Sequence, residues 1–361
     1  MSRDGGPPPE LDNGDIAWCH DAVQDVSRTF ALTVDALEEP MATRICLGYL
    51  LCRIPDTIED AGHIPPADAV SLLRTYGRAL DPGDETEMET FVAEAEPWQP
   101  PKAQRSPDWH VVGEAVRVHT AFQKQPPEVR EAIAPPVLEL VEGMATFVER
   151  YAETGGLRLE SAEELERYCY YAAGTVGHLI TNLLTQGEMD ESRQRALYET
   201  AEEFGLLLQL VNIAKDVGDD YTEENNVYLP ASWLREAGVP QDHVVDPEYR
   251  DDAAAVVERT AARARTYLDD AQRYLTTMPL RDGNTLAAWG VPFLLAVGTL
   301  RELTERPEDA LTDRDVKVSR EEVYAVLAAT RKAPQETIAE LRSAIENRPL
   351  HTHDHTLVST D

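Results

Sequence analysis

The chain has 361 residues, of which 66 are acidic and 33 are Lys or Arg, giving a formal net charge of −33. This charge argues against binding to nucleic acid or anionic lipid through a basic patch. It would keep a protein hydrated in molar salt, where the Debye length falls to about 3 Å. The composition therefore predicts a halophilic, cytoplasmic protein.

Helical periodicity dominates the sequence, and alternating β-branched runs are scarce. We expect an all-α protein with one domain at 15–347, around a central cavity. We expect disordered termini at 1–14 and 348–361, which are polar or rich in Gly and Pro. The predicted helices cover residues 15–36, 40–60, 66–80, 109–124, 127–153, 161–186, 191–219, 231–237, 250–277, 284–304 and 319–346.

The longest apolar run covers residues 286–300. Gly290 and Pro292 interrupt it, and its length of about 15 residues is short of the roughly 20 that a membrane-spanning helix needs. The sequence therefore predicts no transmembrane segment.

Two clusters of carboxylates stand out because each follows an apolar stretch. The first is Asp56-Thr57-Ile58-Glu59-Asp60, and the second is Asp216-Val217-Gly218-Asp219-Asp220. Hard cations such as Mg²⁺ take oxygen ligands and commonly bridge carboxylates to substrate phosphates. The spacing therefore predicts two Mg²⁺–diphosphate sites facing each other across the cavity. The predicted metal ligands are Asp56, Glu59, Asp60, Asp216 and Asp220.

Polar residues share the helical faces of these clusters, counted at about 100° per residue. Tyr49 and Arg53 lie on the face of the first cluster, and Gln209 and Asn212 lie on the face of the second. Arg53, together with Arg28, offers a planar donor group that matches phosphate oxygens. These faces are therefore predicted to bind a phosphorylated substrate.

Two alternatives to a Mg²⁺–diphosphate site remain open at this point. In so acidic a chain, both clusters could be solvated helix faces, although the apolar segments at 45–51 and 204–208 favour cavity-lining carboxylates. A di-iron carboxylate bundle is the other alternative. It needs Glu-x-x-His pairs, and neither cluster contains one.

Four ordered motifs resemble those of squalene synthases and together span about residues 18 to 320. They lie at residues 27–32 with 49–60, at 168–177, at 208–220 with 228–230, and at 292–300 with 316–318. The resemblance implies the isoprenoid-synthase fold. It also places Lys215 where the family more often has Arg, and Asn225-Asn226 where the family has a basic residue.

Squalene synthases join two farnesyl diphosphates head to head through presqualene diphosphate and reduce the product to squalene. The resemblance therefore implies this activity, with Mg²⁺ and NADPH as cofactors. It also implies a monomer, with peripheral membrane contact when the product is released. By this resemblance the catalytic residues are Tyr171, Arg53 and Tyr49. The substrate-binding residues are Ser27, Arg28, Arg53, Gln209, Asn212 and Lys215, and the NADPH-binding residues are Asn212 and Lys317.

Two alternatives to squalene synthesis stay open. Phytoene and dehydrosqualene synthases share both acidic clusters, and the second motif is as similar to theirs, whereas the motifs at 27–32 and 56–60 favour squalene synthase. A protein of another class, a non-catalytic helical interaction protein, would be expected to have lost the aspartates. Here all four facing aspartates remain.

Overall fold

The computed structural model describes residues 13–312, 314, 316–331 and 333–353. Within these residues the protein is all-α, as predicted, and its nearest approach to a sheet is an isolated bridge between Arg158 and Val227. Its α-helices are α1 (Asn13–Val26), α2 (Arg28–Ala36), α3 (Met41–Glu59), α4 (Pro66–Leu80), α5 (Met88–Ala95), α6 (Pro107–Gly113), α7 (Ala115–Gln123), α8 (Pro127–Arg150), α9 (Ala162–Cys169), α10 (Thr175–Leu184), α11 (Glu191–Lys215), α12 (Val217–Glu223), α13 (Ala231–Glu236), α14 (Arg250–Arg265), α15 (Leu268–Thr277), α16 (Leu286–Glu305), α17 (Arg320–Thr330) and α18 (Thr337–Asn347).

Several predicted helices are divided by local breaks that periodicity does not reveal. The predicted helix 15–36 breaks at Ser27, where the backbone is extended. The Ser27 hydroxyl caps α2 by accepting a hydrogen bond from the amide of Phe30. A π-helical turn, Tyr170–Gly174, separates α9 from α10. Helix α5 was missed, because it is only eight residues long, three of them are polar, and it follows a Pro/Gly turn.

Six helices enclose the central cavity. Neighbouring members of the series α2, α3, α8, α10, α11 and α16 pack against each other, and α16 packs back onto α2, so the series closes into a ring. Helix α11 approaches both α10 and the π-helical turn before it closely, because Gly177 and Gly205 lie at these two contacts. A Cβ atom at Gly177 would overlap the carbonyl oxygen of Ala201, and one at Gly205 would overlap that of Ala173.

Helix α16 corrects the prediction that the apolar run is too short to cross a membrane. It continues for 20 residues through Gly290 and Pro292, which is long and apolar enough to span a bilayer. However, 83% of its apolar window is buried within the protein. Such burial is typical of a core helix, and α16 packs against α2, α11, α17 and α18.

The chain ends differ from the sequence prediction where the structure describes them. Helix α1 already begins at Asn13. After α18, Leu350 is buried and its amide donates a hydrogen bond to Glu322 Oε1 at 3.1 Å. Order therefore extends into the segment that was predicted to be disordered from residue 348. The rest of both predicted disordered ends, 1–12 and 354–361, lies outside the described residues.

Candidate active site

A cavity of about 650 Å³ lies inside the helical ring. Its interior is apolar, with walls that include Phe30, Leu140, Phe204 and Trp289. Polar residues line it toward the C-terminal ends of α3 and α11, and from the segment before α17. Eight residues predicted from the sequence line this one cavity: Ser27, Tyr49, Arg53, Asp56, Gln209, Asn212, Lys215 and Lys317.

The first acidic cluster forms a compact group at the end of α3. Asp56, Glu59 and Asp60 are half-buried and each offers a carboxylate oxygen within 4.8 Å of the other two. Burial raises the pKa of Glu59 and of Asp60 well above the usual carboxyl range, and neighbouring carboxylates raise both further. Three oxygens so close, with their charge disfavoured, form a donor set that suits a hard divalent cation.

The second cluster is not on one continuous helix, which corrects the sequence interpretation. Asp216 is the C-terminal cap of α11, with φ −107° and ψ 15°, and Asp220 lies on the short helix α12. Burial, followed by the charges of Glu224 and Asp216, raises the pKa of Asp220 to about 9. Among the described residues, the first cluster alone brings three carboxylate oxygens within 4.8 Å. The second cluster is therefore the looser of the two.

The two acidic segments meet through a chain of hydrogen bonds. The Tyr168 hydroxyl donates to the Glu59 carboxylate at 3.2 Å and lies 3.2 Å from the Tyr228 hydroxyl. The Asn226 side-chain amide donates to the Tyr228 hydroxyl at 3.1 Å and to Glu224 Oε2 at 3.2 Å. The chain therefore joins the end of α3 to the residues that follow α12.

Sequence reasoning missed Glu224 in this arrangement. It stands in an acidic pair with Glu223, which looks like an ordinary solvated run. The signal that could have found it is the spacing of four residues from Asp220, which places both on one helical face.

Each cluster has a cation beside its first aspartate. Arg53 forms an ion pair with Asp56, and its Nε donates to Asp108 Oδ1 at 2.7 Å. Lys215 forms an ion pair with Asp216. Asp108 was not predicted, because it lies on α6 and is distant in sequence from both clusters. These cations line the cavity next to the carboxylates, where they can contact an anionic group of a substrate.

Tyr49 and Tyr171 are placed differently. Tyr49 lines the cavity and its ring stacks on Phe30, with ring centroids 3.9 Å apart. Burial raises its pKa to about 12, so its hydroxyl keeps its proton. Tyr171 lies in the π-helical turn and packs on Gly143, outside the cavity lining, although the next residues, 172 and 173, do line it. Its catalytic role remains a prediction.

Arg28 is the predicted substrate-binding residue that the cavity does not include. Its side chain is exposed at the start of α2, while the adjacent Ser27 lines the cavity. Lys317 is also exposed but belongs to the lining, as does Asn212. The structure therefore brings both predicted NADPH-binding residues to the cavity that Asp56 lines; the other predicted metal ligands, Glu59, Asp60, Asp216 and Asp220, are not among its lining residues.

Comparisons with known proteins agree with this architecture. A squalene synthase of Eremothecium gossypii is 26% identical over 303 residues, covering 80% of this chain and 62% of the relative. An inactive squalene synthase 2 of Arabidopsis thaliana is 25% identical over 299 residues, covering 79% of this chain and 64% of the relative. The chain thus spans less than two thirds of the length of these curated relatives.

The solved structure of TcSQS with a ligand superposes with a TM-score of 0.78 at 21% identity, covering 96% of this chain and 94% of that one. This likeness confirms the predicted isoprenoid-synthase fold. The family model for squalene/phytoene synthases matches residues 23–322, which include the whole ring of helices and both acidic segments. The chain belongs to the squalene/phytoene synthase family.

Proposed function

We propose that the protein is a squalene synthase, a Mg²⁺-dependent farnesyltransferase that condenses two farnesyl diphosphates through presqualene diphosphate and reduces the product with NADPH. The observation that carries this proposal is the meeting of two acidic segments, joined by hydrogen bonds from Glu59 to Glu224, next to an apolar cavity of about 650 Å³ that Asp56 lines. The apolar walls suit prenyl chains, and ligand cavities of a few hundred Å³ commonly bury most of a ligand's surface. The polar end suits diphosphates.

The donor set fits Mg²⁺, because it consists of carboxylate oxygens whose charge is only partly balanced. Asp56, Glu59 and Asp60 would hold one set of ions, and Asp216 and Asp220 would hold the other. When bound, Mg²⁺ acts as a Lewis acid that neutralises a departing diphosphate. The fit rests on the close carboxylate group and on the raised pKa of Glu59 and of Asp60, which burial causes first and the neighbouring carboxylates increase.

The cations would contact the diphosphates. Arg53 and Lys215 now bond the leading aspartates, and each could turn its donors to phosphate oxygens once those aspartates hold a metal. Ser27, Arg28 and Gln209 would add hydrogen bonds to the same groups. The apolar walls would exclude water from the allylic cation, and the protonated Tyr49 hydroxyl would face it without ionising.

Proton transfer and reduction are assigned on the family resemblance. Tyr171 would handle the proton lost when the cyclopropane forms. Asn212 and Lys317 would hold NADPH, and their presence in one cavity lining supports this assignment.

Dehydrosqualene or phytoene synthesis is the second candidate, because the matching family includes phytoene synthases. A non-catalytic role is the third, because a relative of similar identity is described as inactive. The retained group of Asp56, Glu59 and Asp60 supports catalysis over this last role.

Incubation with farnesyl diphosphate and Mg²⁺ in molar KCl tests the proposed class of reaction. We expect release of inorganic diphosphate and a C30 product, loss of both on adding EDTA, and recovery with excess Mg²⁺. Turnover that survives EDTA would contradict a metal-dependent condensation. Intact substrate under all conditions would contradict the proposed reaction and leave the non-catalytic role or a synthase that takes a longer prenyl diphosphate.

We also propose that the protein is a halophilic, cytoplasmic monomer that contacts membranes only peripherally, when the product is released. The net charge of −33 supports the halophilic part, since self-repulsion is screened only at high salt. Thermal unfolding at increasing KCl concentrations tests it. Tm should rise with KCl, and a protein that is fully folded and active at low salt, with no gain from KCl, would contradict it.

A further inference from the structure

Glu224 lies where the two acidic segments meet. It directly follows α12, and a Cβ atom on Gly62, just beyond the first cluster, would lie 3.5 Å from the Glu224 carbonyl oxygen. Its side chain is near enough to Asp56, Glu59 and Asp60 for their negative charges to act on one another. Glu224 therefore belongs to both segments, although it stands in neither of the motifs.

The charge of Glu224 is not balanced by an ion pair. Among the described residues, neither Lys nor Arg forms a salt bridge with its carboxylate, whereas Asp56 and Asp216 each have one; the charge of Arg53 acts on Glu224 without direct contact. A half-buried carboxylate facing other carboxylates is unfavourable unless a cation lies between them. This position is therefore one that a divalent cation would stabilise.

Asn226 holds the Glu224 carboxylate in place. Its side chain is 5% exposed, and its Nδ2 donates to Glu224 Oε2 at 3.2 Å. Its Oδ1 accepts a hydrogen bond from the Leu157 amide at 2.8 Å, which fixes the orientation of the side-chain amide. With Oε2 held by Asn226, Glu224 can offer Oε1 to an ion.

The backbone that presents Asn226 is itself fixed. Asn225 adopts a left-handed conformation with φ 59°. Arg158, 8% exposed, donates to Asn225 Oδ1 at 2.7 Å and to Asp242 Oδ1 at 2.8 Å. Such support from surrounding hydrogen bonds is what keeps a metal-binding carboxylate in a single orientation.

We propose that Glu224 is a further divalent-cation ligand shared by the two acidic segments, and that Asn226 is the positioning residue that orients it. The inference rests on the proposed Mg²⁺ site. It adds a ligand beyond Asp56, Glu59, Asp60, Asp216 and Asp220, and it gives Asn226 a role at a position where a basic residue is missing.

Cation binding to the full-length protein tests the proposal without relying on activity. Mn²⁺ would be titrated in place of Mg²⁺ and followed by electron paramagnetic resonance, with Mg²⁺ titrated by calorimetry. At about 1 M KCl the Debye length is about 3 Å, so a charge change that acts only at long range is screened. Glu224→Gln keeps the side-chain shape and an acceptor for Asn226. The matched control is Glu223→Gln, which makes the same charge change at an exposed neighbour.

We expect Glu224→Gln to raise the Kd for Mn²⁺ by at least about tenfold, and Asn226→Ala to raise it by about tenfold, the range seen when groups supporting metal ligands are lost. Glu223→Gln should change Kd by less than about twofold. If Asn226→Ala lowers Tm so far that it does not fold, Glu224→Gln decides alone. Equal Kd values for Glu224→Gln and the unchanged protein would overturn the inference. If the unchanged protein itself binds no Mn²⁺, it is the proposed Mg²⁺ site that fails.

Discussion

Replacing Asp60 by Asn should change stability and turnover in opposite directions. Asp60 lies within 4.8 Å of carboxylate oxygens from Asp56 and Glu59 and forms no ion pair of its own among the described residues. In the EDTA-treated protein its charge is therefore a source of repulsion. With substrate present, the same charge would be needed to hold Mg²⁺.

The size of the stability effect follows from the geometry. Two unit charges 4.8 Å apart, the limit of the observed separations, repel by about 3.5 kcal/mol at an effective dielectric constant of 20. Partial exposure, salt and partial protonation of the raised carboxyls reduce this, and we expect Asp60→Asn to raise the free energy of unfolding by about 1 kcal/mol at pH 8. Turnover should fall by more than about a hundredfold, or about 3 kcal/mol of barrier.

Urea unfolding in EDTA and steady-state kinetics with Mg²⁺ measure the two effects on the same samples. Asp56→Asn is the matched variant, because Asp56 does have a cation, Arg53. Its removal leaves the guanidinium with one partner fewer, so the gain in stability should be smaller or absent. If Asp60→Asn destabilises the EDTA-treated protein, the carboxylates of this cluster do not repel one another as their spacing implies. If it keeps full turnover, Asp60 is not a required ligand.

Four further outcomes are expected. Tyr171→Phe should lower kcat while Tm stays unchanged, and a normal kcat would make Tyr171 a packing residue. Lys317→Ala should leave consumption of farnesyl diphosphate intact but shift the products away from squalene at limiting NADPH; unchanged products would remove Lys317 from the cofactor site. Gly205→Ala should lower the free energy of unfolding by about 3 kcal/mol, because the new Cβ would overlap the carbonyl oxygen of Ala173. In the control Gly77→Ala, the new Cβ meets only a methyl group at 3.4 Å, so the change should be neutral or stabilising. Carboxyl groups whose pKa is raised by folding contribute stability to the EDTA-treated protein that is fully present below about pH 4. This contribution is lost as pH rises through their folded-state pKa values, which reach about 9 for Asp220, so Tm should fall across this range. Added Mg²⁺ should make the decline in Tm smaller.

Much of the fold could be predicted from sequence because apolar periodicity reports which helix face is buried. It placed the helices of the ring and the cavity-lining face of α3 with small errors at their ends. Periodicity does not report short breaks, since a capped helix can resume with nearly the same face. The break at Ser27 and the one at Asp216 were missed for this reason.

The candidate site was predictable where its residues share a motif and not where tertiary contacts bring them in. Arg53 and Asp56 lie one turn apart on α3, so their pairing follows from spacing alone. Asp108 reaches Arg53 from α6, and Tyr168 reaches Glu59 from α9, across 55 and 109 residues of chain. No local sequence pattern predicts such long-range contacts. Glu224 was only partly predictable. Its spacing of four residues from Asp220 is visible in the sequence, but its position next to the first acidic cluster is not.

Product identification with and without NADPH tests the central claim most directly. The protein would be incubated with farnesyl diphosphate and Mg²⁺ in molar KCl, with and without NADPH, and the extracted products identified by mass spectrometry. A squalene synthase should give squalene with NADPH. Without NADPH it should accumulate presqualene diphosphate, or divert to dehydrosqualene and alcohols. Identical products under both conditions would contradict squalene synthesis and favour the phytoene or dehydrosqualene alternative.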